Sequence, residues 1–236
     1  MIIGINGYAG SGKDTVGNII QYVTSKYKPC AIEECLKSNT EFDKYTTWKI
    51  KKWAGKLKMI ASMLTGIPVE KFEDQEFKKT NLGPEWNIDI PYESDAPWVG
   101  DNETYEVPMS VRDFLQKLGT DALRTGLHTN TWVNALMADY IPTQVQWSDG
   151  PIGGYKDGPL PNWIITDTRF PNEAKAIKDA GGIVIRVDRP GVKPINNHPS
   201  EVGLDNWDFD YKIANVSDLK SLAATIETIL LKENIV

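Results

Sequence analysis

An α/β fold, with a central parallel sheet sandwiched between two helical layers, is what this sequence predicts, and three observations predict it. The run Met1-Ile2-Ile3-Gly4-Ile5 is apolar, as a strand buried on both faces must be, and it leads through a glycine-rich turn into an amphipathic helix. A second apolar run, Trp163-Ile164-Ile165-Thr166-Asp167, is followed by a helical segment at 171–180, the stop signal Gly181-Gly182 and the strand Ile183-Val184-Ile185-Arg186-Val187. Leu219, Leu222, Ala223, Ile226 and Ile229 then mark a helix over 217–232. Apolar strands that alternate with helices build a parallel sheet covered on both sides.

The first helix presents Val16, Ile19, Ile20 and Val23 on one face. A second helix is predicted over 49–65, with Ile50, Trp53, Ala54, Leu57, Ile60, Ala61 and Leu64 on its apolar side and Gly66 and Pro68 ending it. Residues 83–108 carry no sustained period and read as a long excursion. Helical spacing returns at 109–125, through Val111, Phe114, Leu115 and Leu118, and again at 131–141. The stretch from Trp147 to Pro161 reads as a loop, and a loop of that length is usually functional or mobile. No internal repeat or low-complexity tract is present.

Composition narrows the function. With 236 residues, 41% of them hydrophobic, the chain can bury a core as one α/β domain or as one such domain with an inserted subdomain. The formal net charge of -6 argues against a nucleic-acid partner, which would call for a basic face. No run approaches the ~18 apolar residues of a membrane span, and the first residues resemble a strand rather than a leader. Cys30 and Cys35 lack both a redox CxxC spacing and a second pair for zinc, so free thiols in a reducing cytoplasm are expected. His128 and His198 lie far apart and read as surface or packing histidines.

The sharpest local signal is Gly7-Tyr8-Ala9-Gly10-Ser11-Gly12-Lys13-Asp14-Thr15. It fits the phosphate-binding loop G-x-x-x-x-G-K-[ST] in its strand–loop–helix setting, apart from Asp14. Glycines let backbone N–H groups converge on phosphate oxygens, the following helix adds its positive end, and Lys13 reaches the outer phosphates. Asp14 stands where Ser or Thr normally meets Mg²⁺, and Thr15 follows it, so either Asp14 contacts the ion, directly or through water, or Thr15 serves the phosphates instead. The alternative is a plain glycine turn, which leaves the lysine and the spacing unexplained.

Asp167 ends a buried strand, at the sheet edge where parallel α/β proteins hold ligands and where such enzymes keep a carboxylate for Mg²⁺ or its water. Arg169 and Glu173 follow; the plain alternative is an Asp167–Arg169 pair in a turn, with Glu173 as a first-turn helix acid. Arg112, Gln116, Gly119 and Thr120 share one face at helical spacing, with Arg124 nearby. Alone, that stripe is a solvated surface. Gly119 in mid-helix costs about 1 kcal/mol against alanine and suggests close approach of a ligand or another backbone. Trp132 is core at the spacing of Leu136, or a face on which a base stacks.

Taken together, GSGKDT at 10–15, WAGKLK at 53–58, VRDFLQKLGTDALR at 111–124, TWV at 131–133, IITDTRFPNEAKAIKDAGGIVIRVDRP at 164–190, HPSE at 198–201 and IAN at 213–215 resemble the phage-type deoxynucleoside monophosphate kinases of the P-loop nucleoside monophosphate kinase superfamily. The resemblance runs in order over most of the chain and leaves out the loops at 83–108 and 145–160. It implies one P-loop kinase domain over 1–236 with a mainly helical acceptor-binding insertion at about 49–145. It implies ATP with Mg²⁺ as cofactors, held by Gly10, Gly12, Lys13, Asp14 and Thr15, with Asp14 and Asp167 toward the metal. The acceptor nucleotide falls to Lys58, Arg112, Gln116, Gly119, Arg124, Trp132, Asp167, Arg169 and Glu173, with Lys13, Arg112, Asp167 and Arg169 as the catalytic set. The expected partner is a small nucleotide, with no nucleic acid and no membrane; a homodimer is left open, and the expected place is the cytoplasm, the host's if the chain is phage-encoded. Two departures stand out. Tyr8, Ala9 and Gly10 occupy positions where related enzymes often carry a basic residue, and 145–160 holds only Lys156 where an arginine-rich lid is expected. Two alternatives remain: another small-molecule kinase, such as one acting on dephospho-coenzyme A, or a nucleotide-switched binding protein.

Overall fold

The computed structural model describes residues 1–38, 42–91, 104–147, 154–194 and 199–236. His198, the first residue of the HPSE run, and the middles of both long excursions lie outside the described residues. Contacts divide the chain into two compact units, Met1–Trp53 with Val133–Val236, and Ala54–Trp132.

The elements run β1 (Ile2–Asn6), α1 (Lys13–Thr24), α2 (Ile32–Lys37), β2 (Trp48–Lys51), α3 (Gly55–Thr65), β3 (Ile88–Pro91), β4 (Thr104–Val107), α4 (Val111–Gln116), a π-helical stretch (Lys117–Thr125) and α5 (Thr131–Met137). They continue as β5 (Gln144–Trp147), β6 (Gly154–Asp157), β7 (Asn162–Ile165), α6 (Pro171–Asp179), β8 (Ile183–Asp188), α7 (Pro199–Val202), β9 (Tyr211–Ala214) and α8 (Leu219–Lys232).

In the first unit a five-stranded sheet has the order β2-β7-β1-β8-β9, and every pairing is parallel. The two-residue side-chain period of a strand sorts β1 between its faces. Ile3 and Ile5 join Val16, Ile19, Ile20, Leu222, Ile226 and Ile229 beneath α1 and α8. Ile2 faces the other way, among Val133, Leu136, Ala174 and Ile177 of α5 and α6. Each fully buried isoleucine contributes ~1.5–3 kcal/mol, so the short first strand is anchored from both sides. This is the helix–sheet–helix α/β fold that the sequence predicts. The strand order puts β1 between its two long-range partners, and β1, β7 and β8 end at the same edge of the sheet.

The second unit has its own core, in which Ala61, Phe72, Val111 and Phe114 are buried together. Ser110 caps α4 by accepting from the Asp113 N–H at 3.1 Å.

Four sequence expectations are corrected here. Residues 49–65 are not one helix: Trp48–Lys51 is an edge strand that pairs with β7, and the helix begins only at Gly55. The alternation Trp48-Lys49-Ile50-Lys51 is a period-two signal, overlaid by the helical spacing of Ile50, Trp53, Ala54 and Leu57. The excursions are not structureless either, since β3 pairs antiparallel with β4 and β5 with β6. Their described side chains are largely exposed, which removes the apolar alternation a half-buried strand would show. The helix at 109–125 changes to π geometry at Lys117, and Gly119 is buried where Arg112 and Gln116 are exposed. Finally, Cys30 and Cys35 form a disulfide with Cα atoms 5.6 Å apart, because the first turn of α2 carries Cys35 back toward the preceding loop. The expectation of a reducing compartment rested on free thiols and loses that support. No described helix is long and apolar enough to cross a membrane.

Candidate active site

The loop after β1 is shaped by two glycines in the left-handed region, Gly10 at φ 83° and Gly12 at φ 96°. Gly12 is the N-cap of α1, so the helix's unpaired N–H groups and its positive end open onto the loop. Three further bonds hold the turn. The Ser11 N–H donates to the Tyr8 carbonyl at 3.1 Å, Asn215 Nδ2 donates to the Ser11 carbonyl at 2.9 Å, and Arg189 Nη1 reaches the Gly10 carbonyl at 3.4 Å.

Lys13 begins α1, and its ammonium donates a long 3.5 Å bond to the Tyr8 carbonyl. Burial lowers its pKa below the ordinary lysine value and Arg169 adds to that, while Asp14, Glu201 and Asp167 act the other way. Lys13 therefore faces a mixed set of charges from three parts of the chain. Asp14 is exposed; its Oδ1 accepts from Thr166 Oγ1 at 2.7 Å and lies 3.9 Å from Lys52 Nζ. Thr15 is half-buried in the same turn.

Beside the loop, the end of β7 presents Asp167, Thr168 and Arg169. Asp167 Oδ1 accepts the Trp53 N–H at 2.8 Å. Thr168 is held from beneath, its N–H on the Ile5 carbonyl at 3.3 Å and its carbonyl accepting from Asn6 Nδ2 at 2.7 Å. Arg169 Nη1 pairs with Glu201 Oε1 at 3.3 Å. Glu173 is buried at 3% exposure, and its Oε2 accepts the backbone N–H groups of Arg169 and Phe170 at 2.7 and 3.0 Å. The Glu173 carboxylate thus fixes the Asp167–Arg169 turn from the first turn of α6.

A further cation lies under the loop. Arg186, inside the apolar strand β8, is 7% exposed, donates Nε to Asp188 Oδ1 at 2.8 Å and Nη1 to Asn6 Oδ1 at 2.5 Å, and stacks with its guanidinium carbon 4.3 Å from the Tyr8 ring centroid. The Tyr8 hydroxyl in turn donates to Asp205 Oδ1 at 2.8 Å, and its pKa is raised by burial and by that acceptor. Tyr8, in the stretch of the loop that holds no basic residue, therefore rests on an arginine from a neighbouring strand. A charge in the middle of Ile183-Val184-Ile185-Arg186-Val187 was the signal for it. Thr166, Asn215 and Glu201 carried no comparable signal, because each acts through a partner far along the chain.

The first unit thus brings together Gly10, Gly12, Lys13, Asp14, Thr15, Asp167, Arg169 and Glu173. Lys58, Arg112, Gln116, Gly119, Arg124 and Trp132 belong to the second. There Lys58 is buried and ion-paired with Glu73. Arg112 and Gln116 are exposed on α4, and Arg124 is half-buried in the π-helical stretch. Gly119 faces a side chain of its own unit rather than open space: a Cβ there would come 2.9 Å from Leu57 Cδ2. Trp132 is 7% exposed, and its Nε1 donates to the Gly119 carbonyl at 2.9 Å.

Residues 92–226, more than half of the chain, match a family model described as deoxynucleotide monophosphate kinase. The chain is 34% identical over 124 residues to a putative deoxynucleotide monophosphate kinase of Acanthamoeba polyphaga mimivirus, covering 47% of this chain and 58% of that protein. It is 34% identical over 121 residues to the deoxynucleotide monophosphate kinase of Enterobacteria phage T4, covering 51% and 45%. A deoxynucleoside-5'-monophosphate kinase of Escherichia phage T5 is 24% identical over 249 residues, covering 92% and 90%. The matched spans thus take in about half the length of the mimivirus and T4 proteins.

Proposed function

We propose that this chain, which belongs to the deoxynucleotide monophosphate kinase family, transfers the γ-phosphoryl group of ATP to a deoxynucleoside 5'-monophosphate and releases the two diphosphates. The observation that carries this reading is the convergence at one sheet edge of a left-handed glycine loop at a helix N-terminus, a half-buried lysine and the Asp167–Arg169 turn. The loop amides and Lys13 suit the ATP phosphates, and Arg169 has the planar fork that suits a phosphate. Arg112, which makes no ion pair among the described residues, is the second candidate for the acceptor phosphate.

The acceptor is itself a phosphate, with a second pKa near ~6, so it is largely anionic at neutral pH and needs no strong base. Catalysis then rests on alignment and on neutralising charge across the transferring group. Mg²⁺ fits the oxygen donors of this edge. Asp14 Oδ1 accepts from Thr166 and Asp167 Oδ1 accepts the Trp53 N–H, and these two carboxylates are the candidates to meet the ion or its water. Among the described residues no cluster of three or more metal-ligating side chains occurs, and Mg²⁺ ordinarily binds through one or two carboxylates plus substrate phosphates. When bound with ATP, the ion supplies charge neutralisation.

The test is ADP release from Mg²⁺-ATP with each common dNMP and NMP, with dephospho-coenzyme A and without acceptor. Turnover with one or more deoxynucleotides, abolished by Lys13→Ala with the thermal transition retained, is the expected result. Activity on the coenzyme precursor alone, or steady hydrolysis without an acceptor, would overturn the assignment.

A further inference from the structure

We propose that Glu201 is a positioning residue for phosphoryl transfer, holding the Arg169 guanidinium toward the phosphate-binding loop. The inference rests on the kinase reading above and adds a residue to its site. Glu201 lies on α7, a four-residue helix. Its side chain is only 11% exposed, against 40% for Arg169. One carboxylate oxygen, Oε1, receives Arg169 Nη1; the other, Oε2, is buried and meets no donor among the described residues.

Such an arrangement is a poor stability device. A buried ion pair roughly breaks even against desolvation, and an orphaned carboxylate oxygen adds to the cost. Position explains it better. The Arg169 backbone is fixed by Glu173, which takes its N–H and the next one, yet nothing in that bond aims the long side chain. The Glu201 carboxylate takes one end of the guanidinium and leaves the remaining N–H groups for a second anion, as the five-donor fork allows. Lys13 also feels both Arg169 and Glu201, in opposite senses. Glu201 thus offsets the mutual repulsion of two cations that must converge on phosphates, and it does so before any phosphate arrives.

The experiment is a double-mutant cycle with Glu201→Gln and Arg169→Lys in the wild-type chain, following ADP release and reading kcat and KM separately for ATP and for the best dNMP. Glu201→Gln keeps the shape of the side chain, and its thermal transition is checked beside that of Glu201→Ala. The expected result is a fall of roughly 10- to 100-fold in kcat/KM for the dNMP, the scale set by loss of positioning at a reacting group, with KM for ATP little changed. In the Arg169→Lys background the same substitution should then cost no more than about 2-fold, because the planar fork that Glu201 orients is already gone. A Glu201→Gln enzyme with wild-type kinetics, or a loss that persists undiminished beside Arg169→Lys, would overturn the proposal while leaving the kinase reading intact. Absence of wild-type turnover with every dNMP would remove the kinase reading instead, and this proposal with it.

Discussion

Gly12→Ala and Gly10→Ala, made side by side, separate backbone strain from steric exclusion in the phosphate-binding loop. Both positions are left-handed, at φ 96° and φ 83°, so an alanine at either is strained by about 1–2 kcal/mol. Only Gly12 is also crowded: a Cβ there would lie 2.5 Å from Asn215 Nδ2, whereas at Gly10 it would meet nothing within 4 Å. At Gly12 the asparagine must swing away and give up its 2.9 Å bond to the Ser11 carbonyl, a further loss of about 1 kcal/mol. Urea unfolding should therefore show Gly12→Ala destabilised by about 2–3 kcal/mol and Gly10→Ala by about 1–2 kcal/mol. In the Asn215→Ala background the clash is gone, and Gly12→Ala should fall to the cost of Gly10→Ala. Equal costs for the two single variants, or strict additivity of Gly12→Ala with Asn215→Ala, would show that Asn215 does not brace the loop.

Other substitutions probe the remaining contacts. Gly119→Ala should leave stability within about 1 kcal/mol of wild type, because the helix preference for alanine offsets a small shift of the Leu57 tip, and KM for the dNMP should not move. A tenfold rise in that KM at unchanged stability would instead restore Gly119 as a point of ligand approach. Glu173→Ala strands the Arg169 and Phe170 N–H groups and should cost about 3 kcal/mol in urea unfolding, against a smaller loss for Glu173→Gln, which keeps one acceptor. Equal, small losses would show that these bonds contribute little. Reduction with dithiothreitol should lower stability by about 2 kcal/mol, the loop-closure value for a bridge between Cys30 and Cys35, and a transition indifferent to reductant would mean that the thiols are free.

What was readable in the chain was what lies close together in it. The loop Gly7–Thr15 is contiguous and constrained by backbone geometry, so its spacing alone was informative. The apolar runs of β1, β7 and β8 announced a sheet buried on both faces. Trp48–Lys51 was hidden because a four-residue edge strand offers only two turns of alternation, and Ile50 also fitted the helical stripe that continues beyond it. The ribbons of β3 with β4 and β5 with β6 are largely exposed, so burial left no pattern in them. Among site residues, the bonds of Glu173 to the backbone could not be read in advance, because an acid at the first turn of a helix is as readily a backbone acceptor as a ligand contact. Glu201 and Asn215 were legible only as parts of a family resemblance, since their partners, Arg169 and the Ser11 carbonyl, lie far away in sequence.

The position of β1 in the sheet also dictates when the protein can become itself. Its strand partners are Asn162–Ile165 and Ile183–Asp188, so β1 waits for segments that are synthesised long after it. At translation rates of about 5–20 residues per second, the roughly 160 residues between β1 and β7 take on the order of 8–32 s to make. Throughout that interval Ile2, Ile3 and Ile5, all fully buried in the finished sheet, are an unpaired apolar edge. The second unit is continuous in sequence from Ala54 to Trp132 and has no such wait, since every residue of its core has been synthesised well before β7. Synthesis therefore completes the core of the second unit before the sheet that carries the phosphate-binding loop.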